Sequence, residues 1–373
     1  MTGIAFGVTF LMKQPGLFLG AFAFFYLAVQ CWPDNKCEWT AWAKNMGVFL
    51  LAGALPFALT CVVLYRAGVF RNFWFWTFEY ARQYAISLPL RQSWSELAPK
   101  PAILLRLMFC LWILAVAGIA RSFWHPIVRR HVVFVFGLLA FSCAAVCPGL
   151  YFRPHYFILI MPVVAILIAV AVTSSVRWLT LRSTSGWLRS LPVIVFAAAI
   201  VLAIYSNAEF YFKLTPLQAW RFCYPLSPLV EAAPLGEYVR QHTAPTDTII
   251  VFGSEPEIYF YAHRHSASGY IYVYSLMEDQ AYWPAMQKQM MQEVEANRPA
   301  YAVFVDVWDS WLQRPGSPQV VAFSTWMNRY IADGFDEGGV VELTDPEPRY
   351  YWGDEARGHH QPGREIRIYK RKG

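Results

Sequence analysis

The sequence predicts an α-helical multi-pass membrane domain over residues 1–206, followed by a small extracytoplasmic α/β domain over residues 207–373. Three observations carry this prediction. Of 373 residues, 57% are hydrophobic and only 15% charged, against about 25% charged in a typical soluble protein. The charge is unevenly placed: residues 1–206 hold 16 Lys/Arg and four acids, while residues 207–373 hold 15 and 21. Long apolar runs end near residue 206, and short alternating segments follow.

A spanning helix needs about 20 mostly apolar residues. Residues 3–12 are too short alone, and Lys13-Gln14-Pro15 separates them from residues 16–30. This pair reads as one kinked helix or as two short helices meeting at a polar break. Five further spans are expected at 47–65, 102–120, 132–147, 156–172 and 191–205. The start carries no basic leader region, since its first charge is Lys13, so it does not read as a cleaved signal peptide. It reads as a chain that begins inside a membrane domain.

Basic residues set the expected orientation. Arg121, Arg129 and Arg130 share one acid-free link, and Arg177, Arg182 and Arg189 share another. Such links face the cytoplasm. In a cell inner membrane, segments 66–101, 148–155 and everything after 205 then fall outside, while the loop 31–45 falls inside. Because the bases lie in short links between apolar runs, nucleic-acid binding is excluded as a reading.

The outer segment 66–101 interleaves Phe73, Trp74, Phe75, Trp76, Phe78 and Tyr80 with Arg71, Glu79 and Arg82. This pattern predicts an interfacial amphipathic helix. It suits an aromatic belt or a lipid-headgroup site. Six of the seven cysteines precede residue 206, so the tail has no disulfide framework. Cys143 and Cys147 share a helix face and read as packing residues.

In the tail, strands are expected at 248–253, 270–274, 301–306 and 364–369, and helices at 286–297 and 320–333. Ser254 and Glu257 have the spacing of a capping box, which argues against a catalytic carboxylate pair at Glu255 and Glu257. No Gly-rich phosphate loop follows a strand. The histidines His263, His265, His359 and His360 lack cysteine or regularly spaced acidic neighbours, so no metal site is expected and a solvated role is.

Three stretches carry a family likeness: Gly7 to Pro15 (GVTFLMKQP), Phe73 to Tyr84 (FWFWTFEYARQY) and Phe152 to Pro162 (FRPHYFILIMP). Together they resemble bacterial glycosyltransferases of family 39, which have the GT-C fold and use polyprenyl-phosphate sugars. Protein O-mannosyltransferases and the lipid A aminoarabinose transferase are relatives of that family. The stretch VFGSEPEIYFY at 251–261 resembles the extracytoplasmic tail of these proteins.

The resemblance implies a transferase that moves a sugar from a polyprenyl-phosphate carrier to an acceptor at the outer face, with membrane lipid as its surroundings. It implies that Arg82, Tyr156 and Lys13 contact the lipid phosphate, and that Glu79, Arg153 and His155 stand near the same cavity. Lys13 equally suits a snorkelling lysine, and Arg153 and His155 suit ordinary boundary residues. No cofactor or divalent metal is implied beyond the lipid-linked donor.

Such chemistry also needs an acidic base. The family's catalytic Asp lies upstream of the matched stretches, and Asp34 and Glu38 fall on the wrong side. The expectation is therefore a C-terminal portion of the family fold, with an N-terminal companion segment supplying the acid. A non-catalytic module that binds lipid-linked sugar or a partner protein is the second reading. A transporter is disfavoured, because only one broken helix is seen and transporters pair such helices.

Overall fold

The computed structural model describes residues 1–32, 39–86, 90–225, 227–311, 316–344 and 347–373. Asp34 and Glu38 lie outside the described residues. The chain divides into two compact units, Met1–Phe212 and Lys213–Gly373.

The first unit is helical. Among the described residues, three helices are long and apolar enough to cross a membrane: Trp39–Arg66, Pro154–Arg182 and Gly186–Ser206. A bent pair, Arg91–Arg106 and Phe109–Trp124, raises the number to four if it counts as one span. This corrects the expected five. The run at 102–120 is not one helix, because Met108 leaves helical geometry at φ −142° and ψ 38°, and the pair bends by 102°. Val132–Val146 has 15 residues, about 22 Å at 1.5 Å each, which is short of a hydrocarbon core about 30 Å thick.

Small residues set the closest helix contacts. Gly3 and Gly7, four apart on Thr2–Met12, face Trp39–Arg66; a Cβ on Gly7 would stand 2.2 Å from the Gly53 carbonyl oxygen. Ala115, Gly118 and Ser122 form a buried stripe on Phe109–Trp124. A Cβ on Gly118 would stand 2.0 Å from the Leu167 carbonyl oxygen. Against this stripe pack Val163, Val164, Leu167 and Ile168. Small residues let helix backbones approach this closely, as they do in helix pairs packed in lipid. Cys143 and Cys147, expected as packing residues, are exposed.

The aromatic segment is helical, as the sequence predicts, with one irregularity. An α-turn at Phe70–Trp74 widens into a π-helix over Phe75–Tyr80 and returns to α-helix over Ala81–Ile86.

The second unit is a six-stranded sheet with helices on both faces. The strands are β1 (Thr248–Phe252), β2 (His265–Ser266), β3 (Tyr301–Val307), β4 (Phe335–Glu342), β5 (Arg349–Trp352) and β6 (Arg364–Arg371). Their order is β2-β1-β3-β6-β4-β5. β1 pairs in parallel with β2 and β3, and the remaining pairs are antiparallel. Ile249, Val251, Val303 and Val305 pack with Leu235, Val239 and Ile258 of helices Ala232–Gln241 and Glu257–Ala262. On the opposite face Phe252 meets Phe323 of helix Pro318–Gly334, with ring centroids 6.2 Å apart. Burial on both faces explains the unbroken apolar runs of β1 and β3.

Three tail expectations are corrected. No strand forms at 270–274; the place beside β1 is taken by His265–Ser266. The Glu293 carboxylate draws this loop off the sheet by accepting from the Ser268 hydroxyl at 2.6 Å and the Gly269 amide at 2.9 Å. Ser254 caps nothing: its hydroxyl donates to the Ser310 carbonyl at 2.7 Å, and Pro256 takes the N-cap position. His359 and His360 are not merely solvated. Each holds a buried glutamate, His359 with Glu342 at 3.1 Å and His360 with Glu365 at 2.8 Å.

Those glutamates stand directly opposite each other in the β4–β6 register. Two like charges there would repel. Burial pushes the Glu365 carboxyl up, but the Arg367 guanidinium at 2.7 Å, the Gln361 amide and the His360 ring outweigh it and hold it below the ordinary carboxylate range.

Candidate functional site

A cavity of about 550 Å³ opens inside the first unit. Its walls come from three chain segments that are far apart in sequence. Phe10, Lys13, Gln14, Leu17 and Phe18 supply the first wall, from the break between Thr2–Met12 and Gly16–Gln30. Thr77, Phe78, Ala81 and Arg82 supply the second, from the π-turn and the helix after it. Ala145, Pro148, Gly149, Tyr156 and Leu159 supply the third.

Local sequence explains each wall. Pro15 ends one helical direction and starts the next, since it lacks an N–H but suits the first helical turn. Gly16 allows the tight reversal; a Cβ there would stand 2.8 Å from the Thr9 carbonyl oxygen. In the third wall, Leu150 and Phe152 adopt left-handed backbone at φ 57° and 44° beside Gly149 at φ 78°. Such geometry costs a non-Gly residue about 1–2 kcal/mol, and it holds the bend before Pro154–Ile160, which carries Tyr156.

The structure brings Lys13, Arg82 and Tyr156 to one cavity. The Lys13 ammonium lies 4.9 Å from the centroid of the Tyr156 ring. Among the described residues, no carboxylate pairs with Lys13 or Arg82 and none lines the cavity. Two uncompensated cations beside an apolar hollow suit an amphiphilic anion. Glu79, Arg153 and His155 do not line it. Glu79 is exposed on the π-turn, the Arg153 guanidinium covers the Tyr151 ring at 5.8 Å, and the His155 ring meets Tyr156 edge-on at 4.7 Å.

Sequence reasoning passed over Gln14. Its side-chain amide donates to the Thr77 carbonyl at 2.7 Å. The signal was its place between Lys13 and Pro15, inside a stretch already singled out.

A second polar cluster sits at the carboxyl ends of β1 and β3. Glu255 is only 4% exposed. Its carboxyl accepts from the Ser310 hydroxyl at 2.8 Å, and that hydroxyl accepts from the Ser254 amide at 2.9 Å. Burial, reinforced by the nearby Glu257 charge, pushes Glu255 up to about 7. A side chain at Gly253 would crowd this cluster, since its Cβ would stand 2.4 Å from the Glu255 carboxyl oxygen and 2.9 Å from the Val305 Cβ. Among the described residues, no group of three or more His, Cys, Asp or Glu could hold a metal ion. Comparison of the chain with protein-family models, with curated proteins and with solved structures finds no match.

Proposed function

We propose that this chain is a membrane glycosyltransferase component that binds a polyprenyl-phosphate sugar and delivers the sugar to an acceptor at the outer face of the membrane. One observation carries the reading: Lys13, Arg82 and Tyr156 come from three distant segments and line one mostly apolar cavity. The resemblance to family 39 supplies the donor class. Apolar helices and acid-free basic links support a multi-pass protein of the inner membrane with residues 207–373 extracytoplasmic.

The chemistry follows from those groups. The acceptor oxygen bonds to the anomeric carbon as the bond from that carbon to the phosphate oxygen breaks. The acceptor proton passes to a base, and polyprenyl phosphate leaves with its electron pair. Lys13 and Arg82 stabilise the charge that grows on the leaving phosphate. The Tyr156 hydroxyl adds a neutral donor, and the apolar wall receives the start of the lipid chain.

The absence of a carboxylate among the described lining residues favours a second reading, a module that binds lipid-linked sugar without turning it over. Under the first reading a companion segment supplies the base. One experiment addresses both. The chain in lipid nanodiscs is titrated with a short polyprenyl phosphate and with the matching uncharged polyprenol. Arg82→Ala and Lys13→Ala are each expected to weaken phosphate binding by about tenfold, as loss of a charged hydrogen bond does. Equal affinity for the alcohol and the phosphate would sink both readings. Release of labelled polyprenyl phosphate from a sugar-loaded carrier separates the transferase from the binding module.

A further inference from the structure

We infer that Gln14 is a positioning residue, which holds the π-turn at Phe75–Tyr80 so that Arg82 stands at the cavity. Its effect on ligand rests on the lipid-phosphate reading above; its effect on Arg82 does not.

The argument begins with helical geometry. Residues five apart are separated by about 140° around an α-helix, and by less where the chain widens into a π-turn, whose hydrogen bonds join i to i+5. Thr77 and Arg82 are five apart, and both line the cavity. Continuous α-helix through this segment would turn Arg82 further from Thr77 around the helix axis. The π-turn therefore sets the angle at which Arg82 follows Thr77 on this wall.

A π-turn is rare within helices, and a bond from outside the helix favours it where it forms. Gln14 supplies a hold from outside the helix. Its side-chain amide reaches the Thr77 carbonyl at 2.7 Å across 63 positions of sequence. A carbonyl oxygen can accept two hydrogen bonds, so Gln14 can bind Thr77 without displacing a bond of the helix. The neighbouring Lys13 reaches the other wall, where it lies over the Tyr156 ring at 4.9 Å. Consecutive residues of one tight turn thus tie both remaining walls, and Gln14 is the one tied to the wall of Arg82.

The test uses the full chain in nanodiscs. The first arm needs no ligand. Arg82→Cys is made with and without Gln14→Met, which keeps the side-chain length but has no hydrogen to donate. The rate at which a water-soluble maleimide modifies position 82 is followed by peptide mass spectrometry. Gln14→Met is expected to change that rate by about threefold or more, the scale of one lost hydrogen bond. Equal rates overturn the inference.

The second arm is a double-mutant cycle on binding of the short polyprenyl phosphate. Gln14→Met alone is expected to weaken binding by about three- to tenfold, and to have no further effect once Arg82→Ala is present. Additive losses would mean that Gln14 acts independently of Arg82, and would overturn the inference. If the unmodified chain binds no polyprenyl phosphate, the lipid-phosphate reading falls, and the labelling arm alone decides the role of Gln14.

Discussion

Glu255 shows what a single side chain can do to this molecule. It follows β1 and is buried against Ser310. Its carboxyl is held at about 7 rather than near 4.5, because burial penalises the charged form. Between those two values the folded chain keeps a proton that the unfolded chain has released. Stability contributed by this group is therefore present in acid and lost as pH rises through 7. The loss is on the order of 3 kcal/mol, at about 1.4 kcal/mol per unit. Glu255→Gln is expected to remove that pH dependence and to make the tail more stable than wild type at pH 8. Amide exchange of β1 and β3 in the full chain, measured at pH 5.5 and pH 8, checks this. An unchanged difference between the two pH values would refute it. The sequence alone points elsewhere: Ser254 and Glu257 have capping-box spacing. Spacing could not reveal Ser310, 56 positions away, as the competing partner of Ser254.

At the scale of elements, glycines decide how closely helices approach. The stripe Ala115, Gly118 and Ser122 lets Phe109–Trp124 press against the backbone of Pro154–Arg182 near Leu167. A side chain at Gly118 would meet main-chain atoms, which cannot rotate away. Gly118→Leu is expected to destabilise the first unit by at least about 3 kcal/mol, at the upper end of overpacking costs. Gly186→Leu, where nothing lies within reach of an added Cβ, serves as the control. Thermal unfolding in detergent, read by intrinsic fluorescence, compares the two. In the tail, β1, β3 and β6 are readable from their alternating or continuous apolar residues. β4 is not, because its Gly338-Gly339 pair and acidic start look like a turn. It forms because β6 offers a long partner, with an irregularity between Glu337 and Gly339. Gly339 is needed where the Trp352 ring lies 2.6 Å from an added Cβ.

For the whole molecule, charge and hydropathy make the broadest statement. A basic, acid-poor first part with three apolar helices long enough to cross a membrane among the described residues is compatible with a lipid bilayer. The chain is accordingly expected to stay with the membrane pellet through a high-pH carbonate wash. Release into the supernatant would refute its integral membrane character. The number of helices of spanning length was less readable than their presence. Windowed hydropathy cannot see that Met108 breaks one run, or that Val132–Val146 is too short to cross alone.

By itself, the sequence determined that an apolar helical part precedes a polar α/β tail, because composition and periodicity are local properties of the chain. It also named Lys13, Arg82 and Tyr156, through motif likeness. Only the tertiary structure decided that these three line one cavity, that Glu79 does not, and that Gln14 reaches Thr77. Those outcomes depend on how a π-turn and a proline break rotate distant side chains. Such rotations depend on non-local contacts, which no stretch of sequence contains within itself.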